Sequence, residues 1–106
     1  MSNLQEEHNT VDTEIVCELI QIIPDDWDRA TLEVEYLNDG GNEAYSHSIK
    51  NPARSISVVT PSNEIYELTR EQSLIFQKYD RQWKKVIYSI NSNSNGDWDY
   101  KVSFEY

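Results

Sequence analysis

The residues of this sequence whose types could carry chemistry are His8, His47, the single cysteine Cys17, and two acid pairs, Asp97 with Asp99 and Glu33 with Glu35. Metal and redox sites draw their donors from spacings such as His-x-x-x-His or Cys-x-x-Cys, which hold ligands on one helical turn or one tight loop. The two histidines stand far apart, and no such spacing occurs. No histidine or basic residue lies near Cys17 in sequence to lower its pKa, so a buried structural thiol is expected rather than a nucleophile. Paired carboxylates can do acid-base work when their surroundings separate their pKa values. Both pairs here alternate with apolar residues along strands, which leaves them on solvated faces. There is no phosphate-cradling glycine loop and no Gly-x-Ser-x-Gly elbow, and the three glycines lie in turns. The expectation is a protein with no catalytic residue, no metal site and no cofactor.

The most strongly patterned element is the last. From Asp97 to Tyr106, Trp98, Tyr100, Val102, Phe104 and Tyr106 alternate with Asp97, Asp99, Lys101, Ser103 and Glu105, the period of two of a pleated strand. Trp83 to Asn91 repeats the pattern more weakly, and Ser92-Asn93-Ser94-Asn95-Gly96 joins the two runs as a hairpin turn. A hairpin is marginal alone in water, so further strands and a cover are required.

Upstream, Leu4, Val11, Ile15, Val16, Leu19, Ile20 and Ile23 recur at helical spacing, with Asp12, Glu14, Glu18 and Gln21 mainly on the other side. Ser2 with Gln5 has the form of a capping box, while Asn9 or Thr10 could cap a shorter helix. Either helix stops before Pro24. An acidic turn built on Trp27 follows, the tryptophan expected to plug the end of the core. Thr31 to Leu37 and Glu43 to Lys50 read as an antiparallel pair across Asn38-Asp39-Gly40-Gly41-Asn42. Asn51 to Val59 reads equally as a loop or an edge strand. Thr60-Pro61 reads as an N-cap and first helical residue, opening a helix to about Tyr79 whose inner face is Ile65, Leu68, Gln72, Ile75, Phe76 and Tyr79. The expected fold is α+β in the order α-β-β-α-β-β, an antiparallel sheet of four strands, or five with the ambiguous segment, covered on one face by two helices. Its core should unite Trp98, Tyr100, Val102 and Phe104 with Leu32, Val34, Val86, Tyr88, Ile15, Leu19, Leu68 and Phe76.

At 106 residues the chain is expected to form one domain. One cysteine excludes an internal disulfide, and no basic leader or apolar span of ~20 residues is evident, so a soluble, cytoplasmic protein in a reducing compartment is expected. The net charge of −10 argues against direct nucleic-acid binding, which needs a surplus of Lys and Arg. Residues 1–44 hold twelve acids against Arg29 alone, −11, and residues 45–106 hold seven acids against eight bases, +1. Such asymmetry serves solubility or a basic partner.

The amphipathic N-terminal helix ending Ile-Pro-Asp-Asp-Trp, the strand directly after it, the later helix Glu64 to Tyr79 and the terminal Trp83 hairpin together resemble the YezG-like family of bacterial immunity proteins. The likeness is strongest over residues 20–36 and 74–106, and the chain departs from the family pattern at residues 50–61. The resemblance implies an immunity protein, or antitoxin, that neutralises a cognate toxin domain, often a nuclease, delivered between competing bacteria or kept in the producing cell. It implies occlusion without catalysis and no membrane partner. A small-molecule-binding or enzymatic domain and a structural adaptor are the rival classes. For a basic toxin, the expected contact centres on the turn with Asp25, Asp26 and Asp28 and on the first hairpin, with Glu33, Glu35, Asp39 and Glu43. Asp97 and Asp99 join it if the terminal strand lies beside the first. The alternative surface, the second helix with the loop of residues 51–60, is nearly balanced in charge.

Overall fold

The computed structural model describes residues 3–106, apart from the side chains of Asp39 and of residues 54–58. Helix α1 spans Leu4–Ile22, strands β1 Arg29–Asp39, β2 Asn42–Asn51 and β3 Arg54–Val59 follow, then helix α2 Asn63–Lys78 and strands β4 Lys85–Ser92 and β5 Trp98–Glu105. All strand pairs are antiparallel, in the order β3-β2-β1-β4-β5. The architecture is the α+β fold expected, and the ambiguous segment is an edge strand. Residues 40 and 41 close β1 to β2 with φ +62° and +91°, a pair of left-handed positions that two consecutive glycines adopt without strain.

Both helix starts differ from expectation. Asn3 caps α1 by accepting the Glu6 N–H at 3.0 Å, while Thr10 lies inside the helix and returns its hydroxyl to the Glu6 carbonyl. The alternative cap at Asn9 fails for the same reason, and Ser2 lies outside the described residues. Ser62, not Thr60, caps α2, its hydroxyl oxygen accepting the Ile65 N–H. Pro61 therefore precedes the cap. At the far end α2 closes by bonds from Asp80 N–H to the Gln77 carbonyl and from Arg81 N–H to the Phe76 carbonyl. This closure holds Asp80 at φ 59°, a position that glycine usually fills.

The helices run antiparallel on one face of the sheet, since Glu7, Asp12 and Glu18 of α1 meet Lys78, Gln72 and Ser62 of α2. Tyr45 and His47 of β2 bond Ser73 and Thr69, placing α2 over β2, while Tyr88 of β4 and Tyr100 of β5 bond Asp12 and Thr13, placing α1 over the other half. The core follows: Val11, Ile15, Val16 and Leu19 from α1, Ile65 and Phe76 from α2, and Leu32, Val34, Ile49, Val86, Tyr88 and Ile90 from the sheet. Trp27 is buried as expected, and Trp83 is fully buried.

Three expectations about burial are overturned. The terminal strand is not the centre of the core: β5 is an edge, so Trp98, Val102 and Phe104 are only partly buried and Tyr100 is 42% exposed. Cys17 is exposed rather than buried, because it lies one step past the apolar stripe on the outer side of α1. Asp12, assigned to the polar side, is 1% exposed. Its carboxylate accepts from the Tyr88 hydroxyl at 2.6 Å and the Gln72 amide at 3.3 Å, and pairs with His8 Nδ1 at 2.8 Å. Gln72 in turn accepts the Trp83 indole N–H at 2.8 Å. A buried charge needs such partners, and this one ties both helices to β4. Burial, and then the Asp12 charge, push the Tyr88 phenol far above its usual pKa, so it remains a donor.

Candidate functional site

The expected contact residues divide into three places. Asp25, Asp26 and Asp28 are exposed at the end of the sheet where β1 begins, and Asp97 and Asp99 come to that same end. The terminal strand lies beside β4 rather than β1, so this meeting is made across β4, through the bond from Ser92 N–H to the Asp28 carbonyl. Asp39 and Glu43 sit at the opposite end, beside the β1–β2 turn, and the Glu43 carboxylate accepts the Tyr36 hydroxyl at 2.8 Å. The side chain of Asp39 lies outside the described residues. Glu33 and Glu35 occupy the open sheet face between these ends. There Glu33 pairs with Lys85 at 3.1 Å, and its hydrogen bond raises the Lys85 pKa. Glu35 also has Lys85 as its cross-strand neighbour, and Lys50 and Lys101 lie on the same face. The open face is thus a mixed surface rather than an acidic one.

The acid is concentrated elsewhere. Between the outer flanks of α1 and α2 runs a groove of about 390 Å³ lined by Glu14 and Glu18 of α1 and Glu64, Glu67 and Glu71 of α2, together with Thr13, Cys17, Gln21 and Leu68. Among the described residues, no lysine or arginine lines it. The spacings explain the gathering. Glu14 and Glu18 are four apart, and Glu64, Glu67 and Glu71 are three and four apart, so each set lies along one flank of its helix. Antiparallel packing then turns the two flanks toward each other. Glu18 also accepts the Ser62 hydroxyl at 3.1 Å, which fixes one wall.

Helix stability does not ask for this arrangement. Carboxylates four apart repel by roughly 0.2–0.5 kcal/mol per pair. Glu18 stands in the C-terminal part of α1, where the helix dipole favours cations, and the last turn of α1 contains no base. Only Glu64, in the first turn of α2, is where the dipole welcomes a negative charge. The balanced charge of the second half hid this surface in the sequence, because Arg70 and Lys78 of the same helix lie off the groove. The spacing of the glutamates was the available signal.

His8 lines a second cavity, of about 560 Å³, together with Tyr79 and Arg81. Its Nδ1 is committed to Asp12 and its ring packs against Phe76 and Phe104, so the imidazole is held rigidly at the cavity wall. His47 is not free either: Nε2 lies 2.7 Å from the Thr69 hydroxyl and the ring meets Tyr66 edge-on. Burial pushes its pKa down, against a smaller upward pull from the Tyr45 backbone. Among the described residues, no helix is long and apolar enough to cross a membrane. No protein-family model matches the chain, and no curated protein matches it.

Proposed function

We propose that the chain is an immunity protein that binds and neutralises a cognate bacterial toxin domain by occlusion, with no catalytic step and no cofactor. The observation that carries this reading is the groove between the helices, lined among the described residues by five glutamates, Leu68 and Cys17 and by no base. Acid placed against the demands of helix stability is explained by a basic partner, and a nuclease, whose cleft must hold phosphates, presents such a surface. Summed negative potential over a concave surface speeds encounter, and desolvation over Leu68 and Cys17 adds the apolar contact that holds a complex together. The resemblance of residues 20–36 and 74–106 to YezG-like immunity proteins supports the same reading.

Co-expression with a candidate toxin domain taken from a neighbouring gene tests the proposal. The chain should rescue growth and co-purify with the toxin in a stable complex. The combined variant Glu14→Lys, Glu64→Lys, Glu67→Lys, Glu71→Lys, which spares the Glu18 bond to Ser62, should fold, associate at least about tenfold more slowly at low salt, and show a weaker salt dependence. A folded variant that protects and associates like the wild type would remove the groove from the contact.

A further inference from the structure

Strand β5 is the long free edge of the sheet. It pairs with β4 in unbroken register from Lys85 opposite Glu105 to Ser92 opposite Trp98, and beyond the strands the Asn93 N–H bonds the Asp97 carbonyl. In an antiparallel ladder hydrogen-bonded pairs recur at alternate residues. Asp99, Lys101, Ser103 and Glu105 therefore turn their backbone groups to β4, and Trp98, Tyr100, Val102 and Phe104 turn theirs outward. Neither proline nor bulge, two of the devices by which proteins blunt exposed strands, interrupts this edge, and its charges, Asp99, Lys101 and Glu105, are of both signs. The opposite edge, β3, is only six residues long, and its pairing with β2 slips register at Lys50 and Asn51.

We propose that β5 pairs antiparallel with β5 of a second copy of this chain, about a two-fold axis at Ser103, continuing the sheet from one subunit into the other. The charges on the strand select both the partner and the register. With the axis at Ser103, Lys101 faces Glu105 of the second copy, twice by symmetry, while Val102 meets its Phe104 and Tyr100 meets its Tyr106. An axis at Lys101 would oppose two lysines, and one at Val102 would oppose Asp99 with Glu105. An axis at Tyr100 would drive the end of one strand into the turn at residues 93–97 of the other. Both charged groups are available for the contact. Lys101 has Ser89, not an acid, as its cross-strand neighbour, and Lys85 opposite Glu105 gives its ammonium to Glu33.

The surroundings of the edge fit a second copy. Tyr100 is 42% and Tyr106 60% exposed, and Trp98, Val102 and Phe104 are only partly buried, so the strand presents aromatic surface beside its free backbone groups. Thr13 bonds Tyr100 and so marks the flank of α1 that overhangs β5; Glu6, Asn9, Val16 and Ile20 share that flank by helical spacing, with Glu6 its one acid. The axis stands perpendicular to the sheet, so both helix layers lie on one side and these flanks of α1 face each other. Of the acids behind the net charge of −10, Glu64, Glu67 and Glu71 stand on α2, over the far half of the sheet.

Sedimentation velocity of the full chain from micromolar to millimolar concentration is the test. The expected result is a reversible dimer at twice the 12.4 kDa of one chain. Lys101→Glu, an exposed position, should leave the circular dichroism spectrum unchanged and weaken dimerisation about tenfold, since both symmetric pairs turn from attractive to repulsive. Adding Glu105→Lys should restore it. Tyr100→Pro, which takes an outward N–H from the edge together with the ring that meets Thr13 and the second copy's Tyr106, should yield a folded monomer. A monomer at every concentration overturns the proposal. So does a dimer indifferent to Lys101→Glu and Tyr100→Pro, or a double variant no tighter than Lys101→Glu alone.

Discussion

Asp12→Ala should be the most revealing single perturbation of this fold. Asp12 is a buried carboxylate that holds α1, α2 and β4 together, and its removal strands the Tyr88 hydroxyl and the Gln72 amide on residues with no exposed surface. Each orphaned buried group costs about 1–3 kcal/mol, so the two together cost about 2–6. The loss of the charge itself works the other way, because an ion no longer has to be desolvated. Breaking a buried, paired charge nets about 3–5 kcal/mol, against a total stability of about 5–15 for a small domain. Urea unfolding followed by circular dichroism should show this loss, with a fall in Tm of more than about 12 °C. Tyr88→Phe alone should cost about 1–2 kcal/mol, because Asp12 keeps Gln72 and His8. In the double variant the two effects should not add, with a coupling of about 0.5–3 kcal/mol. A loss under about 1 kcal/mol for Asp12→Ala, or strict additivity, would refute the view that this carboxylate is a shared anchor.

Phe76→Ala should cost about 3–5 kcal/mol, whereas Phe104→Ala, on the half-covered edge strand, should cost about 1–3; equal losses in chemical denaturation would show that β5 is covered as fully as the centre of the sheet. Because burial holds the His47 pKa below its ordinary 6.5, the unfolded chain takes up that proton first as pH falls, so stability should decline as pH drops from about 7 through 6.5 toward the lowered folded value. Melting curves of His47→Gln, whose amide can still donate to Thr69, should be flatter across that window, and an unchanged pH profile would contradict the burial effect. Cys17 should react completely with a thiol reagent in the native protein without a change in melting temperature, and a reaction requiring denaturant would contradict its exposure.

Local periodicity made most of the elements legible. The alternation of Leu32, Val34 and Tyr36, and of Val86, Tyr88 and Ile90, assigns strands and inward faces because side-chain direction in a strand depends only on parity. Gly40-Gly41 marks its turn because glycine adopts left-handed backbone at little cost, and the turn takes two such residues in succession. The order of strands was beyond reach by the same logic: the alternation of residues 97–106 is as clean as that of a central strand, and only the pairing of β1 with β4 makes β5 an edge. Asp12 and the groove glutamates were hidden for a related reason. Position 12 falls within the apolar stripe of α1, three and four residues before Ile15 and Val16 and seven before Leu19, so the spacing itself turns it inward; what the spacing does not contain is the donors that make a buried carboxylate tolerable, which Tyr88 and Gln72 bring from β4 and α2. Glu14 and Glu18 look like one solvated helix face and Glu64, Glu67 and Glu71 like another. They become one electrostatic surface only because the helices pack antiparallel, and the interaction of charges is set by distance in space, which spacing along the chain does not contain.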